Sequence, residues 1–260
     1  MLVMHVHKTV HQHEHMHGTR EVPFALHRSI VCVDVEKFGV RANWDQLAVR
    51  DALFRALETA LAESRVPAEH VTCEDRGDGA LILVDPAVPK EHLAGPFPAR
   101  LAACLERHNG TAAPGARFRL RAAVHAGEVH YDRHGVAGSA VSLPFRLLEA
   151  GALKEALRGS AGVLALIASE WFYREVIAQN RTCEAAAYRR VRVSVKETRT
   201  PAWVRSLPTG PGAAEAPAVS AVPLAPAAAP RRSPSRARRP GARPAPPPKR
   251  GAATGPAGPA

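Results

Sequence analysis

A β-branched run ending in an acid, RSIVCVDV (28–35), precedes an amphipathic stretch, DQLAVRDALFRALETALAES (45–64). Two further strand-like runs, HVTCED (70–75) and ALILVD (80–85), then flank Gly77-Asp78-Gly79. This order constrains the chain more than any other feature. Short β-branched apolar runs suit central strands, whereas Leu47, Leu53, Phe54, Leu57 and Leu61 recur near the period of a helix. A glycine-flanked aspartate between two strands reads as a tight hairpin turn.

Downstream, the pattern predicts a helix over 89–109 with Leu93, Leu101, Cys104 and Leu105 inward. It then predicts a strand over 117–125 (RFRLRAAVH), a turn at Gly127, and a strand over 128–132. A helix is expected from about 142 to 157 and a strand over 163–168, followed by a short helix opened by Ser169 and Glu170. The segment 187–198 (AYRRVRVSVKET) alternates like an exposed strand. The layout is β-α-β-β-α-β with further αβ additions, the split arrangement of a ferredoxin-like sandwich in the α/β (α+β) class.

Composition sets the limits of this folded region. From Thr209 to Ala260 the chain is built from Pro, Ala, Gly, Arg and Ser, with Leu224 its one leucine. Such a segment buries too little apolar surface to offset chain entropy, so 209–260 is expected to be a disordered tail. Its eight basic residues (Arg231, Arg232, Arg236, Arg238, Arg239, Arg243, Lys249 and Arg250) against Glu215 supply +7 of the formal +11. A tail of this kind attracts nucleic acid, an anionic membrane or an acidic protein by charge alone, or serves only as a solvated extension. The start carries His5, His7, His11, His13, His15 and His17, imidazoles that bind Zn, Ni or Cu either functionally or adventitiously. Residues 1–24 are read as a mobile extension and 25–208 as the domain.

Cys32, Cys73, Cys104 and Cys183 lack metal-ligand spacing and suit reduced thiols of a cytoplasmic protein. The longest wholly apolar runs fall far short of the ~20 residues that cross a bilayer, and the start lacks a signal-peptide core.

Asp34, at the end of the first strand, and Asp78, in the hairpin, are placed by the split order at one edge of the sheet. Two converging carboxylates make a hard-oxygen site suited to Mg²⁺ or Mn²⁺. Each alone also reads as an ordinary strand-end or turn acid. Four segments, VDVEKFG, EDRGDGALIL, RAAVHAGEV and GSAVSLPFRLLEA, occur in an order and spacing that resembles the class III nucleotidyl cyclase (adenylate/guanylate cyclase) catalytic domain. The resemblance spans about residues 28–205 and is nearest to bacterial cytosolic cyclase-like members.

The resemblance implies two-metal conversion of a purine nucleoside triphosphate to a cyclic 3′,5′-nucleotide and pyrophosphate. It makes Asp34 and Asp78 metal ligands, with the Val35 carbonyl as a third. The amides around Phe38 and Gly39 would lie against the phosphates. Arg146 falls where an arginine neutralises charge at the α-phosphate, and Lys196 where a lysine holds the triphosphate. Ser142 stands where an asparagine orients the ribose. Glu74 and Gly135 match the base-reading positions: Glu74 favours GTP over ATP, and Gly135 brings no side chain. Metal ligands and cations come from opposite subunits in the family, so a homodimer is implied. The alternative is a catalytically silent homologue that binds nucleotide or a partner as a signalling module.

Plain roles stand beside these. Glu74 reads equally as a solvent-facing acid, Ser142 as a helix N-cap, Arg146 as a partner of Glu149, and Lys196 as an edge-strand charge. His125 and His130 read as structural histidines rather than ligands.

Overall fold

The computed structural model describes residues 24–207. The histidine-rich start and the basic tail lie outside the described residues. Strand β1 (Ala25–Val35) leads to α1 (Asn43–Glu63), β2 (Val71–Asp75) and β3 (Gly79–Val84), the order expected from the sequence. Helices α2 (Glu91–Ala94) and α3 (Pro96–Thr111), strands β4 (Leu120–Asp132) and β5 (Gly135–Ala137), and helices α4 (Ser139–Leu148) and α5 (Gly151–Arg158) follow. The chain then forms β6 (Leu164–Ser169), the single turn α6 (Glu170–Phe172), β7 (Arg189–Val195) and β8 (Thr198–Leu207).

The strands make one sheet in the order β2-β3-β1-β4-β6-β8-β7, with β5 paired to β4. Its first four members, β2-β3-β1-β4, are antiparallel throughout, the ferredoxin-like order that the β-α-β-β pattern dictates. Strand β6 joins β4 in parallel, across α4 and α5.

Both faces of the central strands are covered, and β1 shows why its run is almost wholly apolar. Val31, Val33 and Val35 pack with Leu53, Leu57 and Leu61 of α1 and Leu101 and Leu105 of α3. Ile30 and Cys32 point the other way, onto Leu147 and Leu148 of α4 and Leu153 and Leu157 of α5. A stretch buried on both sides needs apolar residues at every position, which Ile30 to Val33 supply before Asp34 at the strand's end.

Five details depart from the sequence expectations. Leu47 is 57% exposed, and Val49 takes the buried place on α1. The helix expected over 89–109 is two, because Pro96 disfavours helical backbone at Gly95, which separates α2 from α3. Strand β4 runs unbroken through Gly127 instead of turning there: a Cβ at Gly127 would lie 2.8 Å from the Ala140 Cβ, so the glycine lets α4 settle on the strand. The helix expected over 142–157 is α4 and α5, hinged at Glu149 and Ala150. Strand β8 had no counterpart in the expected layout. Its Pro201 is tolerated because the β6 pairing stops at Ala202, leaving that side of the proline without a strand neighbour.

Candidate active site

The sheet ends at a rim where β1, β3 and β4 finish together. Asp34 lies opposite Gly79 of β3 and Arg121 of β4, and the Val35 amide donates to the Asp78 carbonyl oxygen at 2.9 Å. The backbone therefore sets the two acids of the sequence reading side by side. The turn that carries Asp78 is tied down from α1: Arg50 pairs with Asp75 and also donates to the Gly77 carbonyl. Asp75 in turn accepts the Gly77 amide at 2.8 Å.

The two flanking glycines have different causes. Gly77 adopts φ +85° with open space around it, which favours glycine at that turn. A Cβ on Gly79 would lie 1.9 Å from the Val33 carbonyl oxygen, so that glycine serves the close approach of β3 to β1.

Asp34 is the chemically distinctive group. Its Oδ2 accepts from Arg121 Nη2 at 2.8 Å, while its Oδ1 is buried with no hydrogen-bond partner. Burial pushes its carboxyl above the usual range; Arg121 opposes that shift, the Asp78 charge adds to it, and Lys154 of α5 opposes it. A buried carboxylate oxygen without a donor, in the field of a second carboxylate, matches what a divalent cation satisfies. The donor set of two carboxylates with main-chain carbonyls therefore fits Mg²⁺ or Mn²⁺. Among the described residues, no cluster of three or more His, Cys, Asp or Glu side chains forms a metal cage of its own.

The remaining predicted positions separate into distinct places. Phe38 and Gly39 form a 3-10 turn just beyond Asp34, and the space where a Gly39 side chain would stand is open. Glu74 accepts from Arg76 at 2.6 Å, and the Arg76 guanidinium lies 5.7 Å from the Phe145 ring centre. Gly135 opens β5 with φ +126°, separated from Glu74 on β2 by β3, β1 and β4.

Ser142 is not an N-cap. Helix α4 starts three residues earlier, with Gly138 at the cap, and Pro144 lies inside the helix rather than at its first position. Ser142 is exposed in the first turns, its amide bonded to the Gly138 carbonyl at 3.1 Å. Arg146 pairs with Glu197 at 3.1 Å, not with Glu149. Lys196 precedes Glu197 in the β7–β8 turn with φ +50°. This turn lies past the Ser169–Ala202 pair, at the opposite end of the strands from the level of Val35, Leu120, Leu164 and Leu207. One chain thus holds the acids at one end of its sheet and ties the Arg146 side chain to a turn at the other.

Arg121 escaped the sequence reading. It was visible only as one of the alternating arginines of RFRLR, and its role needed the antiparallel β1–β4 register that sets it opposite Asp34. The Glu36–Arg119 pair, 2.8 Å apart one row further out, was missed for the same reason. His125 is structural, as expected: its Nδ1 lies 2.8 Å from the Ser169 hydroxyl, which also caps α6 by accepting the Phe172 amide.

No protein-family model matches the chain, and no curated protein matches it. Solved structures do. The chain is similar to the guanylyl cyclase Cya2 (15% identity, 70% of this chain and 91% of that one, TM-score 0.47). It is also similar to an adenylate/guanylate cyclase/hydrolase from Silicibacter pomeroyi (17% identity, 70% and 96%, TM-score 0.49). A third similarity is to a bacterial light-regulated adenylyl cyclase (12% identity, 70% and 90%, TM-score 0.45). Among the described residues no helix is long and apolar enough to cross a membrane.

Proposed function

We propose that this chain is a class III nucleotidyl cyclase-type protein that binds a purine nucleoside triphosphate with a divalent cation at the Asp34–Asp78 rim. The observation that carries the reading is the Asp34 carboxylate, with one oxygen held by Arg121 and the other buried and unpartnered beside Asp78. In this reading Asp34, Asp78 and the Val35 carbonyl hold Mg²⁺ or Mn²⁺. The bound cations would activate the ribose 3′-hydroxyl and neutralise the triphosphate. Amides of the Phe38–Gly39 turn face the phosphates, and Arg121 keeps Asp34 oriented. The 3′-oxygen forms its bond to the α-phosphorus as the bond to the departing pyrophosphate breaks.

The cations that stabilise this displacement, Arg146 and Lys196, sit with the β7–β8 turn at the other end of the sheet, so they would be contributed by a second copy in a homodimer. Glu74 favours GTP over ATP, because a carboxylate accepts from the ring N–H and amino donors of guanine. The four cysteines are buried free thiols, which agrees with a cytoplasmic setting.

A second reading has its own observation. Glu197 neutralises Arg146, Arg76 occupies Glu74, and Ser142 is too short to replace an asparagine, all of which favour a homologue that binds nucleotide without turning it over.

Incubation of the full chain with each nucleoside triphosphate and Mn²⁺, with detection of cyclic product and pyrophosphate, separates the two. Cyclic GTP lost on Asp78→Ala supports the enzyme. Calorimetric binding of a triphosphate without product, in a sample shown to be dimeric by sedimentation, supports the silent module. Absence of both binding and product overturns both.

A further inference from the structure

Strand β7 ends the sheet: among the described strands it pairs only with β8, so its outer row of amides and carbonyls has no strand neighbour. Its two faces differ. Val191, Val193 and Val195 pack with the α4/α5 cluster, whereas Arg190, Arg192 and Ser194 face away, opposite Trp203, Pro201 and Arg199 of β8. Against the β7–β8 pair lies a cavity of about 450 Å³, lined by Arg190, Val191, Arg192, Arg199, Thr200 and Pro201.

Little negative charge answers these guanidiniums. Arg190 reaches Glu170 at 3.6 Å, but Glu170 also accepts Trp203 Nε1 at 2.8 Å and Arg174 at 3.4 Å. Arg199 donates to the Lys196 carbonyl at 3.1 Å. Among the described residues, the Arg192 side chain makes no hydrogen bond or ion pair.

We propose that an extended acidic segment of a partner protein docks along β7 as an added strand, its alternate carboxylates meeting Arg190 and Arg192. An open strand edge presents donors and acceptors in alternation, which another polypeptide backbone satisfies in full. A phosphodiester backbone offers acceptors only, so nucleic acid would leave the β7 carbonyls unanswered. Guanidiniums at positions i and i+2 share one face, matching acids spaced by two on a neighbouring strand, and Arg forms two-point bonds with carboxylates. The chain's own 209–260 segment has the wrong sign, with eight basic residues against Glu215.

The test uses the full chain and a fluorescent peptide of alternating glutamate and valine, read by anisotropy. Because the basic segment attracts any polyanion, two peptides of equal charge, N-methylated at alternate residues in the two possible frames, isolate edge pairing. The expected result is that one frame loses affinity by about tenfold or more and the other keeps it; Arg190→Ser/Arg192→Ser weakens the parent peptide by a similar factor without a change in melting temperature. Equal binding of both frames and the parent overturns the proposal, as does a double variant that binds unchanged. Single-stranded DNA that displaces the peptide, and itself loses affinity in the double variant, assigns the surface to nucleic acid and overturns it as well.

Discussion

Arg121 donates to one oxygen of Asp34 at 2.8 Å while the other oxygen of that carboxylate is buried without a partner. The arginine side chain is only 14% exposed, so its charge and that of Asp34 are held largely away from water. Replacing Arg121 by methionine keeps the bulk and strands the acid, an expected loss of about 2–3 kcal/mol. The double variant Asp34→Asn/Arg121→Met should recover most of it, because a neutral amide tolerates the site better than a lone carboxylate. Urea unfolding of the three proteins checks both statements.

Glu197 restrains the arginine that the proposed chemistry requires. Glu197→Gln removes the charge but keeps the shape, and triphosphate affinity in the presence of Mn²⁺ should rise several-fold as Arg146 is released. Glu197 is exposed, so the melting temperature should stay within the range of neutral surface changes, about ±0.5 kcal/mol in stability. A calorimetric titration reads the affinity.

His125 contributes to the acid sensitivity of the fold. Burial first, and the neighbouring His27 second, lower its pKa from 6.5 to about 4, so the folded state holds it neutral. The unfolded chain takes up the proton sooner. Stability is therefore complete above the unfolded value and is lost as pH falls from about 6.5 toward 4, by up to about 3 kcal/mol. In His125→Gln, which can still bond the Ser169 hydroxyl, unfolding curves between pH 7.5 and 4.5 should show a shallower decline.

Gly79 and Gly39 look alike in the sequence and behave oppositely. Gly79→Ala forces a Cβ to 1.9 Å from a backbone oxygen of β1, where no side chain can move aside, and should cost more than about 3 kcal/mol. Gly39→Ala meets open space and should leave the melting temperature nearly unchanged. Thermal denaturation of the pair decides it.

The four thiols should be silent in the native state. Burial pushes Cys73 up to about 12 and Cys183 up to about 11, and raises Cys32 and Cys104. Thiolate is the reactive form, so a disulfide-exchange reagent at pH 7.5 should label none of them quickly and all of them in urea.

The legible part of this chain was its local periodicity. The β-branched apolar run in 28–35 and the helical spacing in 45–64 set the β-α-β-β start, and that start alone brought Asp34 to Asp78, since adjacent strands leave the two acids one place to meet. What stayed hidden depended on distant residues. Arg121 gains its meaning from a partner 87 positions away and Arg146 from one 51 positions away, and neither spacing leaves a local trace. Strand β8 was concealed by Pro201, a strand breaker except where a neighbouring strand has already stopped. Gly127 misled because glycine marks a turn more often than it marks a helix resting on a strand.

The bond from Arg50 to the β2–β3 turn has a mechanical meaning. Arg50 belongs to α1, whose opening residues Trp44 and Leu47 stand in solvent at 82% and 57% exposure, and the same arginine grips both Asp75 and the Gly77 carbonyl. The side chain thus ties the turn that carries Asp78 to a helix whose Leu53, Leu57 and Leu61 are buried in the core.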